Sequence, residues 1–281
     1  MKVYPRFVTP DFEAFDAVEL ASETERLVTR SGLSGQERKY ESFYVVGVYG
    51  GISTGYAVGC CLRCVFCWVS WSRDFPEKFG NFYSPEEAFK RLREAALKHR
   101  VTKLRVSGAE PTLGKEHLLG LLEHVENSEF QLFILETNGI LFGVDKDYVK
   151  RISKFTKPHI RVSLKAGTPE AFTWKTGAKP EAFEIPFQAI RNLLDYDVSF
   201  HVAAMSADPR IMTTQERKSL AQKLAEIDPK LLSNLEEEVM DPYDTTLARL
   251  KHAGIKIEWP LKHVYPPIKE LLKKQANPHG A

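Results

Sequence analysis

Apolar positions fall into alternating short runs and helical stripes from about residue 44 onward. YVVGVYGG (44–51) is a brief apolar run bounded by glycines, the mark of a buried strand, and GYAVG (55–59) leads directly into a cysteine cluster. Ser-Pro-Glu-Glu at 84–87 opens a helix, with Ser84 as N-cap, Pro85 in the first helical position and Glu87 completing a capping box. Ala88, Leu92, Ala95 and Ala96 share one face of it up to about His99. KLRVSG (103–108), FILETNG (133–139), HIRVSLKAG (159–167) and VSFHVAAM (198–205) then read as strands. Between and after them, residues 116–127, 147–155, 183–194 and 213–227 read as helices, with Pro186 in the first turn of the third. TLARLKHAG (246–254) is a helix stopped by Gly254, and IKIEW (255–259) a last strand. Repeated strand–helix units imply an α/β fold with a parallel sheet and right-handed crossovers. Residues 41–260 are expected to form that domain. Residues 1–40, with Pro5, Pro10 and the Ser31–Gly35 turn, read as an irregular lead-in, and 261–281 as a basic tail with a short amphipathic piece after Pro266-Pro267.

A chain of 281 residues can bury a core without disulfide or metal staples. No window approaches 18 consecutive apolar residues, and the opening MKVYPRFVTPDFEAF has no apolar signal core, so a cytoplasmic protein without a membrane span is expected. The net charge of +2 hides uneven blocks. Residues 11–25 carry six acids and no base, 146–180 carry nine Lys or Arg against Asp147 and Glu170, and 226–244 are acidic around Glu236-Glu237-Glu238. Each block alone reads as a solvated face; together, the basic middle suits an anionic substrate or acidic partner.

Every cysteine lies within GCCLRCVFCW (59–68). In a reducing compartment such a cluster points to metal rather than disulfides. Zinc usually takes two Cys-x2-Cys pairs or a pair plus distant histidines; there is no second separate pair and the nearest histidine is His99, so zinc is geometrically awkward. A redox Cys-x2-Cys pair needs only two thiols. An iron–sulfur cluster fits better, because Cys60-x3-Cys64-x2-Cys67 gives three thiolates for four irons and leaves one iron open. Polar, glycine-bearing motifs follow the next strands: SGAEP (107–111), ETNG (136–139) and SLKAG (163–167). Loops at the C-terminal strand ends form the active face of such folds, so these motifs are expected to converge.

The cysteine spacing, with Phe66 before the last cysteine and SGAEP at the next strand, resembles the radical S-adenosylmethionine (SAM) superfamily over roughly residues 44–205. The resemblance implies a partial (β/α)6 TIM-like barrel, a single 4Fe-4S cluster and SAM chelating the open iron. It implies Cys60, Cys64 and Cys67 as iron ligands, Phe66 near the adenine, and Gly108, Ala109 and Glu110 at the methionine amino group, Ala109 replacing the family's second glycine. Thr137 and Asn138 fall near the ribose, and Ser163 and Lys165 where related members place polar SAM contacts. No counterpart of the family's later adenine motifs stands out, and the catalytic residue toward substrate is unassigned.

Plainer readings stand beside these. Cys61 is a packed thiol, with a slipped register that uses it instead of Cys60 left open. Trp68 and Trp71 cover the cluster, His201 is a satisfied core histidine, and Lys175 and Lys179 are solvated. The expected activity is reductive SAM cleavage to a 5′-deoxyadenosyl radical, with ferredoxin or flavodoxin as electron donor. A nucleic-acid or nucleotide substrate is suggested by the basic middle and by Arg63, Arg73 and Lys78. The alternatives are a glycyl-radical activating enzyme acting on a partner protein, and a non-catalytic metal or electron-transfer module.

Overall fold

In the computed structural model, which describes residues 4–270, the chain is ordered well before residue 41. Helix α1 (Ala17–Val28) starts at Asp16, whose carboxylate accepts from the amides of Val18 and Glu19. Ala17, Leu20, Ala21, Thr24 and Val28 are buried, a helical stripe whose small residues the acidic neighbours conceal. The hairpin of β1 (Thr29–Gly32) and β2 (Gly35–Val46) follows, so the irregular lead-in expected for 1–40 is corrected to a helix and most of a hairpin. Strand β2 also absorbs the start of the 44–51 run, the rest of which is a 3-10 turn.

Next come β3 (Ile52–Ala57), the cysteine loop, β4 (Asn81–Tyr83) and α2 (Pro85–His99), where both halves of the Ser84/Glu87 capping box form. The alternation continues with β5 (Lys103–Gly108), α3 (Lys115–Glu126), β6 (Leu132–Thr137), the short helices α4 (Ile140–Val144) and α5 (Lys146–Ile152), and β7 (Pro158–Leu164). Helix α6 (Pro169–Thr176), capped by the Thr168 side chain, and α7 (Ile185–Asp195) lead to β8 (Phe200–Ala204). The described elements end with α8 (Thr214–Ile227), α9 (Lys230–Ser233), β9 (Glu236–Glu237) and α10 (Asp244–His252).

The sheet order is β1-β2-β3-β5-β6-β7-β8-β9, with β4 on β2. The six strands from β3 onward pair in parallel, giving a mostly parallel, unclosed sheet, a partial TIM-like barrel. Its sixth strand is not IKIEW (255–259), which is loop, but Glu236–Glu237 from the acidic block. Residues 255–259 do alternate in burial, yet alternation makes a strand only where an edge is free to pair. The edge of β8 is occupied by carboxylates that neutralise Arg161 and Arg217. Of the tail, Ile268 is buried and its amide donates to Glu237, while 271–281, with the amphipathic piece, lie outside the described residues.

His117 pins α3 to the hairpin. Its Nδ1 donates to Gln36 O at 3.1 Å, and its Nε2 accepts from the Tyr40 hydroxyl at 2.9 Å. Burial, helped by Arg38, lowers this imidazole to about 3. Because the folded-state value lies below the unfolded one, the stabilisation is intact above about pH 6.5 and drains away as pH falls toward 3. Acidification from about pH 7.5 to 5 is expected to cost roughly 2 kcal/mol through this residue. Urea unfolding at the two pH values checks it: His117→Gln should be less stable overall and lose that part of the pH slope.

Candidate active site

The segments after β3, β5, β6 and β7 line one cleft of about 750 Å3, part of it open to solvent. Two glycines set its floor. Gly59 (φ 82°) turns the chain into the cysteines where a Cβ would lie 2.7 Å from Thr24 Cγ2, and Gly108 holds a φ of 98° that side chains rarely adopt, with Ala57 O 3.1 Å from where a Cβ would sit. Cys60, Cys64, Phe66 and Cys67 all line the cleft, as do Gly108, Ala109, Glu110, Thr137, Asn138, Ser163 and Lys165. Cys61 is fully buried and does not line it. Its thiol packs instead against Asn138, whose Nδ2 donates to Cys61 Sγ at 3.3 Å. Among the described residues no three His, Cys, Asp or Glu side chains gather closely enough to hold a single ion. Three thiols facing one cleft are the donor set that a cluster with one open iron would take.

Glu110 is 1 % exposed and already well bonded. Its Oε1 accepts from the Thr112 amide and hydroxyl and from the Thr137 hydroxyl, and its Oε2 from the Asn138 amide at 2.8 Å. Three donors crowd Oε1 and one reaches Oε2, so most of the carboxylate's acceptor capacity is used within the fold. Glu110 is therefore first a hub tying the ends of β5 and β6, and Thr137 and Asn138 spend these donors on it. Lys165 differs: among the described residues no hydrogen bond or ion pair engages its ammonium, which pulls the Cys64 thiol down while burial pushes it up to about 12. Cys60 is lowered by a hydrogen bond from Cys61 against the effect of burial. Buried thiols of this kind ionise when a cation replaces their protons.

Ser163 and Lys165 point into the barrel, while Val162 and Leu164 are buried between them. Sequence reasoning missed the rest of this face. Glu136 accepts from Arg105 at 2.8 Å and from Ser107 at 2.5 Å. Arg161, paired in register with Glu136, donates to Glu236, Glu238 and the Ser163 hydroxyl. Period-two alternation along β5, β6 and β7 was the available signal. His201 is satisfied, between His159 at 2.7 Å and Glu236 at 2.9 Å. Trp68 lines the cleft and is exposed, whereas Trp71 packs edge-on against Phe7 away from it.

Several cations of the sequence reading are not solvated. Lys175 is 0 % exposed, with its ammonium 2.5 Å from Glu216. Arg63 and Arg73 are buried on backbone carbonyls of the cysteine loop. Of the basic middle, Lys146 and Arg151 pair with Asp195 and Glu116.

The profile of the Radical SAM superfamily matches residues 56–207. No curated protein matches the chain at a significant level. Among solved structures, TYW1 with a lysine-pyruvate adduct bound aligns at 15 % identity and a TM-score of 0.51, over 82 % of this chain and 74 % of that one. SuiB of Streptococcus suis aligns at 16 % identity and 0.49, over 80 % and 46 %. The anSMEcpe structure with bound AdoMet aligns at 20 % and 0.48, over 66 % and 53 %. The chain thus spans about half the length of SuiB and of anSMEcpe. The TYW1 likeness shows a shared fold.

Proposed function

The chain belongs to the radical SAM superfamily, and from that membership we propose that it is an enzyme acting on a small polar substrate held in the cleft beside SAM. Its cofactors are SAM and a 4Fe-4S cluster. In this reading Cys60, Cys64 and Cys67 hold the cluster, and Cys61 is a packing thiol. The chemistry supplied by the bound pair is one-electron cleavage of the SAM sulfonium to methionine and a 5′-deoxyadenosyl radical, which takes a hydrogen atom from substrate.

The chain's own residues bind and orient. Lys165 meets the SAM carboxylate, a charge-assisted contact worth about 1.5–3 kcal/mol. Phe66 packs by the adenine, and Ser163 offers a hydroxyl to the ribose. Glu110 holds the β5 and β6 ends so that the backbone of Gly108 and Ala109 can face the SAM ammonium. The observation that carries the substrate class is the charged part of the cleft, where Glu136, Arg161 and Glu238 present both signs of charge. A phosphate-rich polymer has less to favour it, because Arg63, Arg73 and Lys175 are already bound within the fold. The electron donor in this reading is a small redox protein such as ferredoxin or flavodoxin.

The test is 5′-deoxyadenosine formation by the oxygen-free, reconstituted and reduced protein. Low-molecular-mass extract is expected to stimulate it above the basal rate, and Arg161→Gln to remove the stimulation while keeping basal cleavage. Stimulation by an RNA fraction that fades with salt would return the nucleic-acid reading. A glycyl radical on an added protein would instead favour the activating-enzyme reading, and no 5′-deoxyadenosine at all would leave only a metal or electron-transfer module.

A further inference from the structure

The carbonyl oxygens of three of the four cysteines are each held by a different buried guanidinium. Arg63 Nη1 donates to Cys60 O at 2.7 Å, Arg73 Nη1 to Cys64 O at 2.7 Å, and Arg249 Nη1 to Cys67 O at 2.6 Å. The three cysteines are those that line the cleft. A fourth arginine, Arg38, reaches Val58 O and Glu110 O at the base of the same loop. All four are at most 2 % exposed. Arg249 comes from α10, and it also donates to Val69 O and Ser70 O.

Charge compensation in this shell is sparse. Asp74 serves both Arg73 and Arg249, and among the described residues it is the one carboxylate to which any of the four donates. Among the described residues, Arg38 Nε and Nη1, Arg63 Nη2 and Arg249 Nε are buried without a hydrogen-bond partner. Uncompensated buried charge is costly, and arginine does not shed its proton. The cost falls if the cleft holds an anion. Three thiolates leave an oxidised cubane anionic, and an added electron makes it more so.

We propose that Arg63, Arg73 and Arg249 are positioning residues that set the reduction potential of the cluster, favouring the more negative reduced state through their fixed charge. The proposal rests on Cys60, Cys64 and Cys67 being the ligands. Arg249 is the clearest probe, because Thr245 and Thr246 of the same helix continue to hold Trp68 O and Cys67 O when its side chain is changed. Asp74 is the opposite probe, since its removal leaves the shell more positive.

The experiment is a redox titration of the anaerobically reconstituted full chain, followed by electron paramagnetic resonance, with iron and sulfide measured on each sample. Arg249→Gln is expected to keep its iron and weaken electron uptake about tenfold, a negative shift of about 59 mV for a one-electron couple. Arg249→Lys, which keeps the charge, should shift by less than half of that, and Asp74→Asn should shift in the positive direction. A merely structural strut predicts no sign reversal between Arg249→Gln and Asp74→Asn. Equal potentials in all variants, or shifts of the same sign in those two, overturn the proposal. If Arg249→Gln fails to hold iron, the sign of the Asp74→Asn shift decides alone. A wild-type chain that binds no iron defeats the ligand assignment itself, which is a different result from an unchanged potential.

Discussion

Oxygen-free reconstitution of Cys64→Ala is expected to yield a protein with almost no cluster iron and no 5′-deoxyadenosine formation, whereas Cys61→Ala keeps both. Neighbouring thiols are thereby assigned opposite fates. Cys64 lines the cleft with Cys60 and Cys67, and on the proposed ligand assignment alanine there leaves two thiolates for a group that takes three from the protein. Cys61 faces away, packed against Asn138, so its loss removes a small buried group at a cost of about 1 kcal/mol. Iron and sulfide analysis with chromatography of the SAM products reads both. Iron lost in Cys61→Ala but kept in Cys60→Ala would mean that the slipped register is the true one.

A comparably large effect is expected at a residue remote from SAM. Lys175→Met should lower stability by about 3–5 kcal/mol, a large share of the roughly 5–15 kcal/mol typical of a domain. The substitution leaves Glu216 buried and unpaired, with the Gly167 amide as one remaining donor at 2.9 Å. Burial already pulls the Lys175 ammonium below its usual value, against the pull of Glu216. The double variant Lys175→Met/Glu216→Gln should recover much of the loss, since glutamine still accepts from Gly167 and carries no charge. Urea unfolding of the wild type and the two variants at matched iron content decides it. A single-variant loss below about 1 kcal/mol would show that Glu216 finds another partner or water. The loosening should reach the cysteine loop, because the carbonyls of Lys175 and Thr176 receive the amides of Val65 and Arg63 at 2.9 and 2.8 Å.

The parts of the fold read correctly from sequence were those whose signal is local. Ser84 and Glu87 cap α2 as expected, Pro186 sits in the first turn of α7, and β5 spans the predicted Lys103–Gly108. Each depends on neighbours within a turn or two. Errors clustered where charge concealed burial. Leu20 and Val28 were passed over amid acids, Glu236–Glu237 was taken for a solvated run, and Lys175 for a surface lysine. A charged side chain looks the same in sequence whether water or a counter-ion will surround it.

The sequence by itself determined the strand–helix alternation and the spacing of three cleft-facing thiols, since both are periodicities written over a few residues. Only the tertiary structure decided which charges were to be neutralised and by what: Arg161 by Glu236 from β9, Lys175 by Glu216 from α8, and Cys67 O by an arginine 182 positions away. The partner of a buried ion is chosen by how the strands and helices stack, which no short window of residues contains.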